Sequence, residues 1–354
     1  MQANLVITAA ATITPYGLGV EAFVQGITKG PVQAEPLENA YLGSICVAKV
    51  PPYDARQLLA TRIISNFDRL TRHVCVAVDQ LYKSIGLDDP DLRKAAVADQ
   101  RVSFVCGTSG PLQSIVDIDL QVIEEPHYVQ PSLIPNMVFN SAASYAAIRH
   151  GIRGSCITLT DGDASSLQAF ALAATKLQMD KIDFALVGGA EEATPAYALY
   201  RAGLPGQLDT AQRPLSEGAT IFALERTEHA KRAGRASLTG IYGCAHLYAP
   251  DDVRGGIMAC LKKLRQHAGL QLDEVGVVCT EPGIDLAALG LSKCRCLTLA
   301  DRMGETGAMY GTLAVLNVLT RHDVVDGEIV LLLQVSPEGA CAAMLMQKHR
   351  NLEC

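Results

Sequence analysis

The stretch CITLTDGDASSLQAF, Cys156 to Phe170, has the pattern of a strand, a tight turn and the opening of a helix. Elbows of this kind often hold a nucleophile at the positive end of the helix dipole. Here the turn supplies Asp161, Gly162 and Asp163, and no Ser or Cys comes before Ser165. An Asp at this point makes a good helix N-cap, because its carboxylate accepts N–H bonds and opposes the dipole, and that is the role expected of Asp163. The other chemistry-bearing residues form no motif. The eight histidines show no HxxH or HExxH spacing, and Cys294 and Cys296 make a lone C-x-C without a second pair. Gly188 and Gly189 lack the GxGxxG turn of a dinucleotide site and read as close strand packing. No cofactor or metal is expected.

The elements around the elbow alternate. Short apolar runs such as NLVITAAATIT, RVSFVCG, CITLTDG and FALVGGAEEA each lead to a helical stretch. In ASSLQAFALAATKLQM, Leu167, Ala171, Ala174 and Leu177 mark an apolar helix face. A second series follows with ASLTGIYG, VGVVCTEPG, CLTLADRMG and EIVLLLQV. Strands buried on both faces and alternating with helices indicate α/β layers. The two series imply duplicated halves, residues 1–228 and 229–354, which share one tight interface because no linker parts them.

Composition narrows the class. The chain has 354 residues, 49% hydrophobic, with a formal net charge of −7. That acidity argues against nucleic acid as a partner. No apolar run reaches the ~18 residues of a membrane span. The opening alternates like a strand and does not read as a leader, and the eleven cysteines are scattered, so reduced thiols and a cytoplasmic location are expected.

Taken in order, several stretches resemble the β-ketoacyl synthase family, whose fold is the thiolase fold. They are VITAAATITPYGLGVEAF, QPSLIPNMVFNSAASYAAIRHGIRG, FALVGGAEEA, EGATIFALERTEHAKRAG and GETGAMYG. The resemblance implies an α/β protein of duplicated βαβ halves in a layered α-β-α-β-α architecture. It also implies a working site of one Cys, two His and a Lys, none of which is present here. The Cys position falls on Asp163, the His of the family's GH pair on Glu305, the Lys on Ala300 and the other His on or near Glu281. The entrance loop appears as SPEG, Ser336 to Gly339, with no Phe.

Chemistry agrees with this loss. A thiolate exchanges thioesters at neutral pH, whereas a carboxylate would give a reactive mixed anhydride. Glutamates in place of histidines leave no neutral donor for decarboxylation and repel a malonyl carboxylate. If Asp163, Glu281, Glu305 and Asp301 converge, something must offset their charge, and Arg302, solvent or outward rotation is expected in preference to a cation.

A retained fold with a replaced nucleophile resembles the chain-length factors, silent partners of ketosynthases in type II polyketide systems; short, divergent ones accompany aryl polyene ketosynthases. That resemblance implies a heterodimer with an active β-ketoacyl synthase, and contact with acyl carrier protein through that partner. Leu133, Met137, Phe139, Ala142 and Ala143 become candidates for the interface and the acyl tunnel. The alternative is an enzyme of the same fold with a relocated carboxylate site, a hydrolase or acyltransferase with or without metal assistance.

Overall fold

The computed structural model describes residues 3–37, 45–60, 66–91, 93, 97–204, 213–269 and 271–352. Among the described residues one mixed sheet has eleven strands, the short Gly17–Leu18 paired on β1 and ten in a row: β1 (Leu5–Thr14), β2 (Val102–Gly107), β3 (Cys156–Leu159), β4 (Phe184–Glu191), β5 (Gly218–Arg226), β6 (Thr239–Tyr248), β7 (Val277–Cys279), β8 (Arg295–Leu297), β9 (Ile329–Val335) and β10 (Ala340–Lys348). Their order is β8-β7-β9-β10-β6-β1-β5-β4-β2-β3. Each half repeats one scheme. β1 lies antiparallel to β5, β5 to β4, and β4 runs parallel to β2 and β2 to β3. β6, β10, β9, β7 and β8 follow the same rule. The halves meet at β1 and β6 through three residue pairs, Leu5↔Ile241, Val6↔Gly240 and Ile7↔Thr239. The expected boundary between residues 228 and 229 falls inside the short helix Thr227–Arg232.

The described helices include α1 (Arg69–Ser84), α2 (Leu112–Glu124), α3 (Ser141–His150), α4 (Ser165–Gln178), α5 (Pro195–Ala202), α6 (Val253–Ala268) and α7 (Tyr310–Thr320). Burial assigns them to layers. α4 and α7 are apolar nearly all round and lie between the two half-sheets. The face marked by Leu167 and Ala171 is thus only part of a helix buried on almost every side. α1 and α6 keep a polar face and cover the outsides. Consecutive strand residues serve different layers. Ile221 packs outward with Val74 and Phe104, while Phe222 packs inward with Phe170 and Leu313. In β9, Leu332 points inward and Leu331 and Leu333 point to Ile257 and Leu261. Layers of helix, sheet, helix, sheet and helix result.

The central helices approach the strands closely. A Cβ on Gly107 would sit 2.5 Å from the carbonyl carbon of Ser165, at the start of α4, and one on Gly189 would sit 2.6 Å from Thr312 Oγ1. Gly107→Ala is therefore expected to push β2 off α4 and to lower stability by about 1–3 kcal/mol, an overpacking cost. Urea unfolding followed by circular dichroism checks this, and an unchanged midpoint would show that the contact relaxes freely.

Candidate functional site

The site lies beyond the carboxyl ends of the parallel strands, where α/β sheets usually bind ligands. Asp163 follows β3, Glu281 follows β7, Glu305 follows β8, and the turn Ser336–Gly339 joins β9 to β10. The first turns of α4 and α7 are built alike. Gly162 (φ 56°) opens a 3₁₀ turn before α4, and Gly307 (φ 52°) opens one before α7. Both glycines adopt a left-handed conformation that side chains disfavour. Glu338 Oε2 would lie 2.6 Å from a Cβ at Gly162, and Tyr197 Oη crowds the same place at Gly307.

Asp163 does not cap the helix. Neither the 3₁₀ turn nor α4 has a side-chain cap bond; Ser165 Oγ instead accepts from Asp161 N at 2.8 Å and donates to Gly162 O at 2.6 Å. The Asp163 carboxylate faces Arg201, whose Nη1 donates to Oδ1 at 2.6 Å, and both residues are 2% exposed. Arg201 Nη2 reaches Glu305 Oε2 at 3.4 Å, and Arg213 Nη1 lies 3.5 Å from Glu305 Oε1. The neutraliser is thus Arg201, with Arg213 at the rim. Arg302 is exposed, and so is Asp301, which stays out of the cluster. Ala300 opens the short helix Ala300–Met303 and carries no polar group.

Arg201 is legible only in retrospect. Thr194 caps α5 by accepting from Tyr197 N, and Pro195 sits at its first position. Tyr197 and Arg201, four residues apart on that helix, therefore project together into the core. An arginine on the apolar face of a capped helix was the available signal.

Burial dominates the electrostatics. It pushes the Asp163 carboxyl up to about 6 against the pull of Arg201, with Glu305 and Glu338 adding to the rise. Glu281 is driven well above the carboxylate range by burial and by Asp163 and Glu305. Burial raises Glu191 to about 7, although it accepts from Ser109 N and Oγ and from Ala308 N. The entrance turn is fastened to the same cluster, since Tyr200 Oη donates to Glu338 Oε1. A cleft of about 540 Å³ opens beside Asp163 and Glu281, walled by Val253, Ile257, Ile284 and Leu289. Neither its lining nor the groups acting on Asp163 include a histidine or a cysteine. Among the described residues no three His, Cys, Asp or Glu side chains form a metal-holding group. The arrangement sets the Asp163 and Glu305 carboxylates against Arg201 and Arg213.

Residues 2–204 match the family described as Beta-ketoacyl synthase, N-terminal domain. The chain belongs to the β-ketoacyl synthase family. As a member of it, the chain is similar to the 3-oxoacyl-(acyl-carrier-protein) synthase 2 of Vibrio cholerae, at 24% identity over 363 residues, covering 91% of this chain and 86% of that one. A solved structure, "The ishigamide ketosynthase/chain length factor", matches with a TM-score of 0.80 at 26% identity, covering 98% of this chain and 99% of that chain. A type II PKS acyl-carrier protein in complex with its ketosynthase, bound to the hexaketide, matches at 0.79 and 16% identity over 98% and 100% of the two chains, a likeness of fold. The layered, duplicated architecture is the thiolase fold of these ketosynthases. Within that fold, Asp163, Glu281 and Glu305 gather around one guanidinium.

Removing that guanidinium leaves buried carboxylates without a countercharge. Arg201→Met is expected to cost about 3–5 kcal/mol near pH 7.5, the range for breaking a buried pair. The sign of the pH effect follows from Asp163. Its folded value, about 6, exceeds the unfolded 3.8, so the folded chain takes up the extra proton and gains stability as pH falls through that window. The variant should recover part of its loss toward pH 5, or on adding Asp163→Asn. Thermal melts across pH 5–8 would refute the balance if Arg201→Met lost the same amount throughout.

Proposed function

We propose that this chain is a non-catalytic chain-length-factor subunit that pairs with an active β-ketoacyl synthase and shapes the acyl tunnel of the pair. The Asp163–Arg201 ion pair carries the reading, because it fills the nucleophile's place with a carboxylate already spoken for. The similarity to the ishigamide ketosynthase/chain length factor supports it. So does the surface of the first half. β3 is an edge strand, paired only with β2 and half-buried along its length. In the same half, α2 and the segment after it expose Ile123 (76%), Tyr128 (75%) and Val138 (57%). Such an edge and apolar face call for a covering partner. The ten described cysteines are free, which suits the cytoplasm. Contact with acyl carrier protein would come through the partner. A narrower assignment, to an aryl polyene ketosynthase, rests on the divergent elbow sequence.

The test combines the chain with candidate ketosynthases. Size-exclusion chromatography should give a one-to-one heterodimer, and intact mass spectrometry should find no acyl group on this chain after incubation with acyl-carrier substrates. An adduct on Asp163, or turnover by the isolated chain, would promote the relocated-carboxylate enzyme.

The tunnel candidates now separate. Leu133 and Met137 are half-buried, and Phe139, partly exposed, covers Gly110. Ala142 and Ala143 lie in this chain's own core with α1, so a Phe at either would overfill that core before it reached a tunnel. Replacing Met137 or Phe139 by Ala should lengthen the heterodimer's product by one or more two-carbon units while elongation continues, as read by product mass. If no substitution at Leu133, Met137 or Phe139 alters length, the chain is a scaffold without a measuring role.

A further inference from the structure

A second cavity, of about 380 Å³, lies under the turn that carries Leu133 and Asn136, between the N-terminal ends of α1 and α2. Its polar lining is almost fully committed. Asp68 accepts from Thr71 N at 2.7 Å and from Ser114 Oγ at 3.2 Å, and caps α1. Gln113 donates to Asp117 Oδ1 at 2.7 Å and accepts from Ala196 N at 3.1 Å. Arg69 Nε donates to Glu217 Oε2 at 2.7 Å. Two buried atoms are left over, Glu192 Oε1 and Asn136 Oδ1, on residues 3% and 4% exposed. The Asn136 amide cannot be turned round to hide its oxygen, because Nδ2 donates to Asn66 O at 2.6 Å. Asn136 Oδ1 is an acceptor, and so is Glu192 Oε1 once the carboxyl is ionised.

A buried acceptor without a donor costs about 1–3 kcal/mol, so this pocket is unfinished among the described residues. What completes it must bring hydrogen-bond donors, and the carboxylates of Asp68, Asp117 and Glu192 favour a positive charge. A guanidinium meets both needs. It is planar, carries five donors and sheds its hydration more readily than an ammonium does. The pocket wall includes Leu133, whose segment continues into the exposed apolar Ile134, Val138 and Phe139, so the donor would arrive with whatever covers that surface.

We propose that this cavity is the socket for an arginine side chain of the partner subunit, seated between Glu192 and Asn136. The proposal rests on the heterodimer reading above and adds the chemistry by which the partner is recognised. Burial raises the Glu192 carboxyl to about 8, with Asp68 and Glu217 adding to the rise and backbone N–H groups of Gln113 and Leu70 opposing it. Arg69 is the cation nearby, and Glu217 already holds it. Seating a guanidinium would therefore ionise Glu192 and release its proton. Association should tighten as pH rises toward 8 and level off above it, by up to about tenfold per unit below that value.

The experiment measures the heterodimer dissociation constant from pH 6 to 9 for the wild type and for Glu192→Gln, an isosteric change whose folding is verified by thermal unfolding. Loss of roughly 30-fold or more at pH 8, with a flatter pH profile, is expected. The matching Arg→Lys change in the partner should weaken the wild type and leave Glu192→Gln nearly unaffected. An intact complex that Glu192→Gln weakens less than threefold overturns the socket and leaves the heterodimer standing. Ethylguanidinium soaked into crystals of the isolated chain separates the two ideas. If no ketosynthase binds but ethylguanidinium occupies the space between Glu192 and Asn136, the partner reading fails and the arginine socket survives. Water alone in that space, or equal occupancy by butylammonium, overturns it.

Discussion

A buried guanidinium cannot stand without anions, and buried carboxylates cannot stand without a cation. At the centre of this protein the two needs meet in Arg201, which is held by Asp163 and reached by Glu305, with Glu281 near enough to feel both. Much else follows from that contact. α5 must be capped at Thr194 so that Arg201 enters the core, and the turn at Gly162 must be left-handed so that Asp163 meets it. The Ser336–Gly339 turn, tied through Glu338 to Tyr200, closes against the same group. Buried ion pairs often add little net stability over apolar packing, but they penalise every arrangement that separates the partners. Here the pair fixes a geometry more than it strengthens a fold.

That geometry shows how the ketosynthase fold keeps its loops in place around a changed set of side chains. The loops beyond the strand ends still converge, since strand order and the turns before α4 and α7 decide where they go. Only the side chains differ. Asp163, Glu281 and Glu305 lie around one guanidinium, and their charges are offset inside the site.

Sequence alone was informative wherever the signal was local. The burial of β5 and β9 on both faces follows from their apolar runs, and so does the layer order once duplication is granted; the burial of α4 beyond its one apolar face does not. The degenerate positions Asp163, Glu281 and Glu305 were also legible and do come together. Their countercharge was not. Arg302, three residues before Glu305, was the natural guess, yet it is exposed while Arg201 arrives from a different helix. Likewise Asp163 had the composition of an N-cap, but one residue of 3₁₀ geometry rotates it off the helix axis toward α5. Propensity describes the turn; which long-range partner waits there is a tertiary fact.

The middle layer has a consequence for how the chain must be made. α4 and α7 are covered by strands of both half-sheets, and β10, last in chain order, lies inside its half between β6 and β9. During synthesis the first half therefore emerges with the inner side of its sheet, Phe222 among it, covered by α4 but not by α7. That cover is incomplete until residues 310–320 have left the ribosome, and β6 and β9 lack the strand between them until residues 340–348 follow. Chains whose decisive contacts close last are exposed to aggregation for the whole interval. The vulnerable moment for this protein lies in its birth, and the rate of translation through β9 and β10 bears on how long it lasts.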